Sequence, residues 1–389
     1  GFGRLDPLLR DPYVEDISVN GLLTPVFVYH TEFEWLTSNI TFTDPDELER
    51  VVVKLALRSG VEPNLARPVV EGVLRPEGYR VHIVLDVVSR RGHSVTVRKF
   101  RAEPYTLVEL LRRRTLSPEV AALLWMAIQY KQGVIVYGPT GAGKTTLLNA
   151  LAMLLPPEYK VVTVEDTPEI YLPFHDNWAA MHTRLSDVQG VQSVTLQSQV
   201  ESALRMRPDV IIVGEIRSRE AYAFFQAVAT GHGGLTTIHA ENADVLMRRL
   251  ASPPMNVPRS LLASAKLLVN IVRVERGGKV MRRVLRVDET HRYDPAADEL
   301  ELKRIAQWSS ADDSWTVRME GTSLLKTLSD LLAVSPQEIL EDYHRRIVVL
   351  EWAAARNLDI FELHQLVRRY MRDPEETYRE AAKALGGGG

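Results

Sequence analysis

The chain has 389 residues, a net charge of −3, 45% hydrophobic and 25% charged side chains, and no cysteine. That length allows two or three domains with sizeable cores, and the lack of cysteine excludes disulfides and any cysteine-ligated zinc or iron–sulfur centre. The charge balance excludes polyanion binding by bulk charge alone, although 47 lysines and arginines leave room for a local basic surface.

No apolar run reaches the roughly 18 residues of a spanning helix, and the first residues do not form a signal peptide. Any membrane link is therefore expected to be peripheral and made through a partner. The abrupt start at Gly1 beside a strand-like segment points to a trimmed upstream domain. The run from Gly386 to Gly389 reads as a tail or linker scar.

Residues 1–100 read as an N-terminal α+β module. The segments DISVNG and PVFVYH are strand-like and separated by the turn-prone Asn20–Gly21. Asp44 to Ser59 reads as a helix, with Asp44 as N-cap, Pro45 at the first helical position and acids in the first turn. YRVHIVLDVV and HSVTVRKF are strands around the turn Arg90–Arg91–Gly92. Residues 101–116 read as a linker running into a helix start. SPEVAALLWMAIQYKQG is a helix with Ser117 as N-cap and Pro118 at its first position.

From Gly133 the pattern changes to short apolar strands alternating with helices: GVIVYG, KVVTVED, DVIIVGE and GGLTTIHA. Buried runs of this kind between helices predict a parallel sheet covered on both faces. The core is expected over 117–290. Residues 291–385 are expected to form a helical C-terminal region, and 386–389 a tail.

Gly138, Gly143, Lys144 and Thr145 satisfy the spacing GxxxxGK[ST] between a strand and a helix. The loop Gly138, Pro139, Thr140, Gly141, Ala142, Gly143, Lys144, Thr145 and Thr146 is therefore expected to cradle the phosphates of ATP with its backbone N–H groups. The helix N-terminus adds positive potential. Lys144 is expected to reach the β- and γ-phosphates, and Thr145 to hold Mg²⁺.

Three further strand ends carry chemistry. In PDVIIVGEIR, Gly214 stands where an Asp often contacts Mg²⁺, and Glu215 follows as the expected general base and metal-shell residue. In VVTVEDTPEI, Glu165, Asp166 and Glu169 sit where parallel strands line a ligand crevice, and Glu165 is the expected second catalytic acid. In ATGHGGLTTIHA, His232 and His239 are expected to contact the nucleotide. For each of these acids and histidines a purely structural part is the competing reading.

In this order the four motifs GPTGAGKTT, VEDTPEI, IIVGEIR and GHGGLTTIHA resemble the type II/type IV secretion ATPase superfamily. DPYVEDISVNG, RKFRAEPYTLVELL, HDNW and PPMNVP are similar to its archaeal branch of archaellum, pilus and secretion motors. The resemblance implies an α/β fold, with a RecA-like P-loop NTPase core, a PAS-like N-terminal module and a helical C-terminal region. It implies ATP hydrolysis with Mg²⁺, powering assembly, retraction or secretion as a homohexamer on a polytopic membrane platform protein. It places the protein in the cytoplasm, at the inner face of the membrane. It also implies arginines that reach a phosphate: Arg80, Arg90, Arg91, Arg98 and Arg217, with Arg91 and Arg98 favoured by the pattern RRG…TVRKF. A guanidinium suits charge developing on the γ-phosphoryl group. The competing functions are a nucleic-acid translocating or conjugation-type ATPase, and a scaffold that holds ATP without turnover. The charge balance and the lack of an aromatic–basic stripe speak against the first.

Overall fold

Alternating apolar residues build a first sheet. In the computed structural model, residues 1–99, 104–184, 192–277 and 279–386 are described. After a short helix α1 (Asp6–Arg10) come β1 (Val14–Asn20), β2 (Pro25–His30), β3 (Glu34–Thr41), α2 (Pro45–Arg58), β4 (Val69–Leu74), β5 (Tyr79–Val84) and β6 (Ser94–Arg98). The strands pair antiparallel in the order β3-β2-β1-β6-β5-β4. One face of the sheet presents Ile17, Val19, Val81, Ile83, Val95 and Val97, which share a core with Leu48, Val51, Val52 and Leu55 of α2. As the sequence predicts, Asp44 caps α2, accepting from Asp46 N at 3.0 Å.

The chain divides into two units, Gly1–Glu103 and Pro104–Gly389. The second begins with α3 (Leu107–Arg112), inside the stretch expected to be a linker. The start of that linker, 101–103, lies outside the described residues. A capping box between Thr106 and Glu109 fixes the start of α3, and Leu107, Val108, Leu110 and Leu111 are buried. There follow α4 (Pro118–Gln129), β7 (Val134–Gly138), α5 (Lys144–Ala152), β8 (Val161–Glu165), β9 (Trp178–His182), α6 (Leu196–Leu204), β10 (Val210–Val213), α7 (Glu220–Ala229), β11 (Gly233–His239), α8 (Ala243–Ala251) and α9 (Arg259–Leu262). The chain then forms β12 (Leu267–Arg276), β13 (Lys279–Asp294), β14 (Glu299–Ser309), β15 (Ser314–Val317), α10 (Ser323–Leu332), α11 (Pro336–Arg356), α12 (Ile360–Arg372) and α13 (Pro374–Gly386).

Among the described residues this unit has one mixed sheet, ordered β15-β14-β13-β12-β7-β11-β10-β8-β9. The strands from β12 to β9 are mutually parallel, and β12 to β15 run antiparallel. Side chains alternate faces: Val134 and Val136 join one core with α4 and α5, while Ile135 and Tyr137 join the other with α7.

Two expectations need correction. The helical C-terminal region starts at Ser323, not at 291, because β13, β14 and β15 come first. ELELKRIAQW alternates apolar and polar residues, and its half-buried positions make it look merely polar in sequence. Gly386, expected to open the tail, belongs to α13; residues 387–389 lie outside the described residues.

Glu289 docks α10 onto β13. Its buried carboxylate accepts from Ser323 N at 2.9 Å, Leu324 N at 3.0 Å and Ser323 Oγ at 3.0 Å. Burial would raise this carboxyl, but the N–H groups at the helix start outweigh burial and hold it below the usual glutamate range. A depressed acid stabilises above its unfolded pKa, and that stability is lost as pH falls through the folded pKa. Glu289→Gln should therefore cost about 1–3 kcal/mol at neutral pH, with a smaller cost near pH 3, read from urea unfolding at both pH values. An equal cost at both would show that the charge does not matter.

Candidate functional site

β7 is buried along its whole length and delivers the chain to the loop and then α5. Gly141 and Gly143 have φ of 74° and 92°, in the left-handed region glycine enters without steric cost. The first turn of a helix leaves N–H groups without intrahelical partners. The start of α5 therefore offers donors, and the positive end of its dipole, to an anion. Thr145 and Thr146 lie half-buried on that first turn.

Lys144 Nζ donates to Pro139 O at 3.0 Å. Burial lowers its ammonium below the usual lysine range; the Glu215 carboxylate pulls it back up and the Arg217 guanidinium adds to the lowering. These three side chains thus share one electrostatic neighbourhood. Arg217 Nε donates to Glu215 Oε2 at 2.9 Å, and Arg217 Nη2 bonds the same oxygen. Thr237 Oγ1 donates to Gly214 O at 2.7 Å, and Ile216 N to Thr237 O at 2.9 Å, which tie the Glu215 turn to β11.

Glu165 ends β8 with only 4% of its surface exposed. Its Oε1 accepts from Glu169 N at 2.9 Å and Ile170 N at 3.0 Å. Burial pushes its carboxyl from 4.5 up to about 7, partly opposed by those two N–H groups. The same side chain accounts for Gly214: a Cβ there would lie 3.1 Å from Glu165 Cγ. An Asp at 214 would collide with the acid already supplied by β8.

His239 pairs with Gly138 in the parallel register, and its Nδ1 lies 3.3 Å from Thr140 Oγ1. His232 does not join them. It precedes β11, whose whole length separates it from the loop, roughly 20 Å at strand rise. There its Nδ1 lies 3.1 Å from Ala227 O. The parallel direction of β11 sends its two histidines to opposite edges of the sheet, so this unit does not bring His232 to the loop beside His239. Arg91 and Arg98 belong to the first unit. Arg98 Nε donates to Asp16 Oδ1 at 2.9 Å on β1.

Sequence reasoning missed two arginines. Arg249 of α8 bonds the His239 carbonyl, and Arg282 of β13 donates from Nε to Gly141 O at 3.3 Å. Neither lies in a recognisable motif. Among the described residues no three His, Asp or Glu side chains cluster to hold a metal. The Thr145 hydroxyl and Glu215 carboxylate are hard oxygen donors of the kind Mg²⁺ accepts when phosphates and water complete its shell.

A family model described as "Type II/IV secretion system protein" matches residues 74–299. An uncharacterised protein of Methanocaldococcus jannaschii is 37% identical over 370 residues, or 94% of this chain, and the chain spans 66% of that relative's length. The type IV secretion system protein VirB11 of Brucella suis is 31% identical over 277 residues, covering 64% of this chain and 74% of its own. The solved structure of the Legionella pneumophila ATPase DotB matches with a TM-score of 0.52 at 19% identity, over 98% of this chain and 95% of its own, a likeness of fold.

The raised carboxyl of Glu165 has a signed consequence. Its contribution to stability is fully present below 4.5 and is lost as pH rises through about 7. Between pH 5 and pH 8 the parent should lose up to roughly 3 kcal/mol relative to Glu165→Gln, measured by urea unfolding at the two pH values. Parallel pH profiles for the two proteins would show an ordinary, solvated carboxylate.

Proposed function

Since the chain belongs to the Type II/IV secretion system protein family, whose ATPases hydrolyse ATP, we propose that it binds ATP at the loop 138–146 and hydrolyses it to drive a secretion or pilus-type machine. The observation that carries this reading is that Lys144 follows the carboxyl end of β7 and the bonded pair Glu215–Arg217 follows that of β10, the two strands that flank β11 in the parallel part of the sheet. Glu165 stands beside Gly214 at the same edge.

In this reading the loop N–H groups and Lys144 bind the β- and γ-phosphates. Mg²⁺, held by Thr145 and Glu215, would offset charge on the phosphate oxygens. Glu215 orients the attacking water and takes its proton, and Arg217 holds that carboxylate in place. Glu165, its carboxyl pushed up to about 7, is the second acid assigned to proton transfer. Arg91 and Arg98 are assigned to the γ-phosphoryl charge on their sequence pattern alone.

We read the second unit as a RecA-like core, which the parallel order β12-β7-β11-β10-β8 around the phosphate loop supports. The antiparallel sheet with α2 supports reading the first unit as a PAS-like module. The expected working form is a homohexamer at the cytoplasmic face of a membrane, acting on a polytopic platform protein. Among the described residues no helix is long and apolar enough to cross a membrane, so that attachment is peripheral in this reading.

Phosphate release and ADP binding test the assignment together. Lys144→Ala should abolish both. Glu215→Gln should keep ADP binding and lower kcat by about 10²–10⁴-fold. Parent-like turnover of Glu215→Gln would remove Glu215 as the base. A parent that binds ADP and releases no phosphate would leave a nucleotide-holding scaffold.

A further inference from the structure

β12 pairs with β7 as far as Asn270 opposite Tyr137, and then continues to Arg276 before β13 returns beside it. The hairpin thus stands against the phosphate loop on the side away from β11. The fit is close at two glycines. A Cβ on Gly138 would lie 2.1 Å from Ile271 O, and a Cβ on Gly143 would lie 3.0 Å from Arg282 Cδ. At Gly141, between them, nothing lies within 4 Å of a Cβ, and the contact is instead the bond from Arg282 Nε to its carbonyl at 3.3 Å.

We propose that Arg282 is a positioning residue of the nucleotide site: it braces the phosphate loop through the Gly141 carbonyl and sets a permanent cation at its rim, favouring bound polyphosphate. The inference deepens the reading of this loop as an ATP site and rests on it. Loop N–H groups converge on phosphate oxygens when the intervening carbonyls turn outward. Gly141 is the loop residue with the most freedom, with φ of 74° and open space where a side chain would be. A bond to its carbonyl therefore removes the most conformational entropy for one contact. The donor is a guanidinium that stays ionised at all working pH, so the bond is charge-assisted and uses one of five N–H groups. Lys144 is already held to Pro139 O, and Arg282 supplies the matching restraint at the apex. A braced loop binds substrate and transition state alike, so its loss raises KM and leaves kcat in place.

The test compares Arg282→Ala, Arg282→Lys and Lys144→Ala with the parent, using ATP turnover, ADP binding by calorimetry, and melting without nucleotide. Arg282→Ala is expected to raise KM for ATP and Kd for ADP about tenfold, with kcat within about twofold and melting unchanged. Arg282→Lys, which keeps the charge and a donor, is expected to recover affinity to within about threefold of the parent. Parent-like KM and Kd in Arg282→Ala, with ADP binding lost in Lys144→Ala, would overturn this inference and leave the ATP site standing. A fall in kcat alone would also overturn it. A parent that binds no nucleotide would remove the ATP-site reading and this inference with it.

Discussion

Lys144 is a charge drawn partly out of water, and much of the second unit is arranged around that cost. Burial lowers its ammonium, which donates to a neutral carbonyl, Pro139 O. Opposite charge nearby comes from Glu215, but Arg217 already bonds that carboxylate. The Lys144 ammonium and the N–H groups at the start of α5 are donors that an anion with several oxygens would complete. The two ends of the loop are held in place. β7 is clamped between β11 and β12, Gly138 is pressed against Ile271 O, and α5 starts at once behind Gly143.

The carboxylates at the neighbouring strand ends have different surroundings. Glu165 is buried with only backbone N–H partners and is pushed toward neutrality. Glu215 is partnered by a guanidinium through two bonds to one oxygen. Two acids set apart in this way can take complementary parts in proton transfer. Gly214 is the steric condition for both, because its bare Cα lets the Glu165 side chain lie across the end of β10.

β13 connects this edge of the sheet to the C-terminal helices. Along one strand, Arg282 meets the phosphate loop, Val284 and Val287 enter the core beside β12, and Glu289 caps α10. The helices α11 and α12 close the same core: Leu350, Trp352, Leu363 and Tyr370 are buried with Trp125 of α4. Arg346, almost fully buried, lies 4.5 Å from the Trp125 ring and 5.0 Å from that of Tyr370. Contiguous packed groups thus run from the phosphate loop to the C-terminal helices.

Much of this was legible in the residues. The spacing of Gly138, Gly143, Lys144 and Thr145 between an apolar run and a helix determined a phosphate loop, since glycine torsions and helix starts are local properties. The caps Asp44, Ser117, Ser335 and Asp359 likewise act within a few residues of their own helices. What sequence left undecided was long-range. β12 to β15 carry mixed polarity because each has exposed or half-buried positions along its length, and their pairing depends on partners elsewhere in the chain. Nothing local told His232 from His239; the parallel direction of β11 put one at the loop and the other at the opposite edge. Gly214 had no evident reason until Glu165 was seen to occupy its space, and Arg282 had none until the hairpin brought it to Gly141. The sequence determined which groups can do phosphate chemistry, because that follows from residue type and short spacing. Only the tertiary structure decided which of them meet, because strand order and direction are set by burial of the whole sheet.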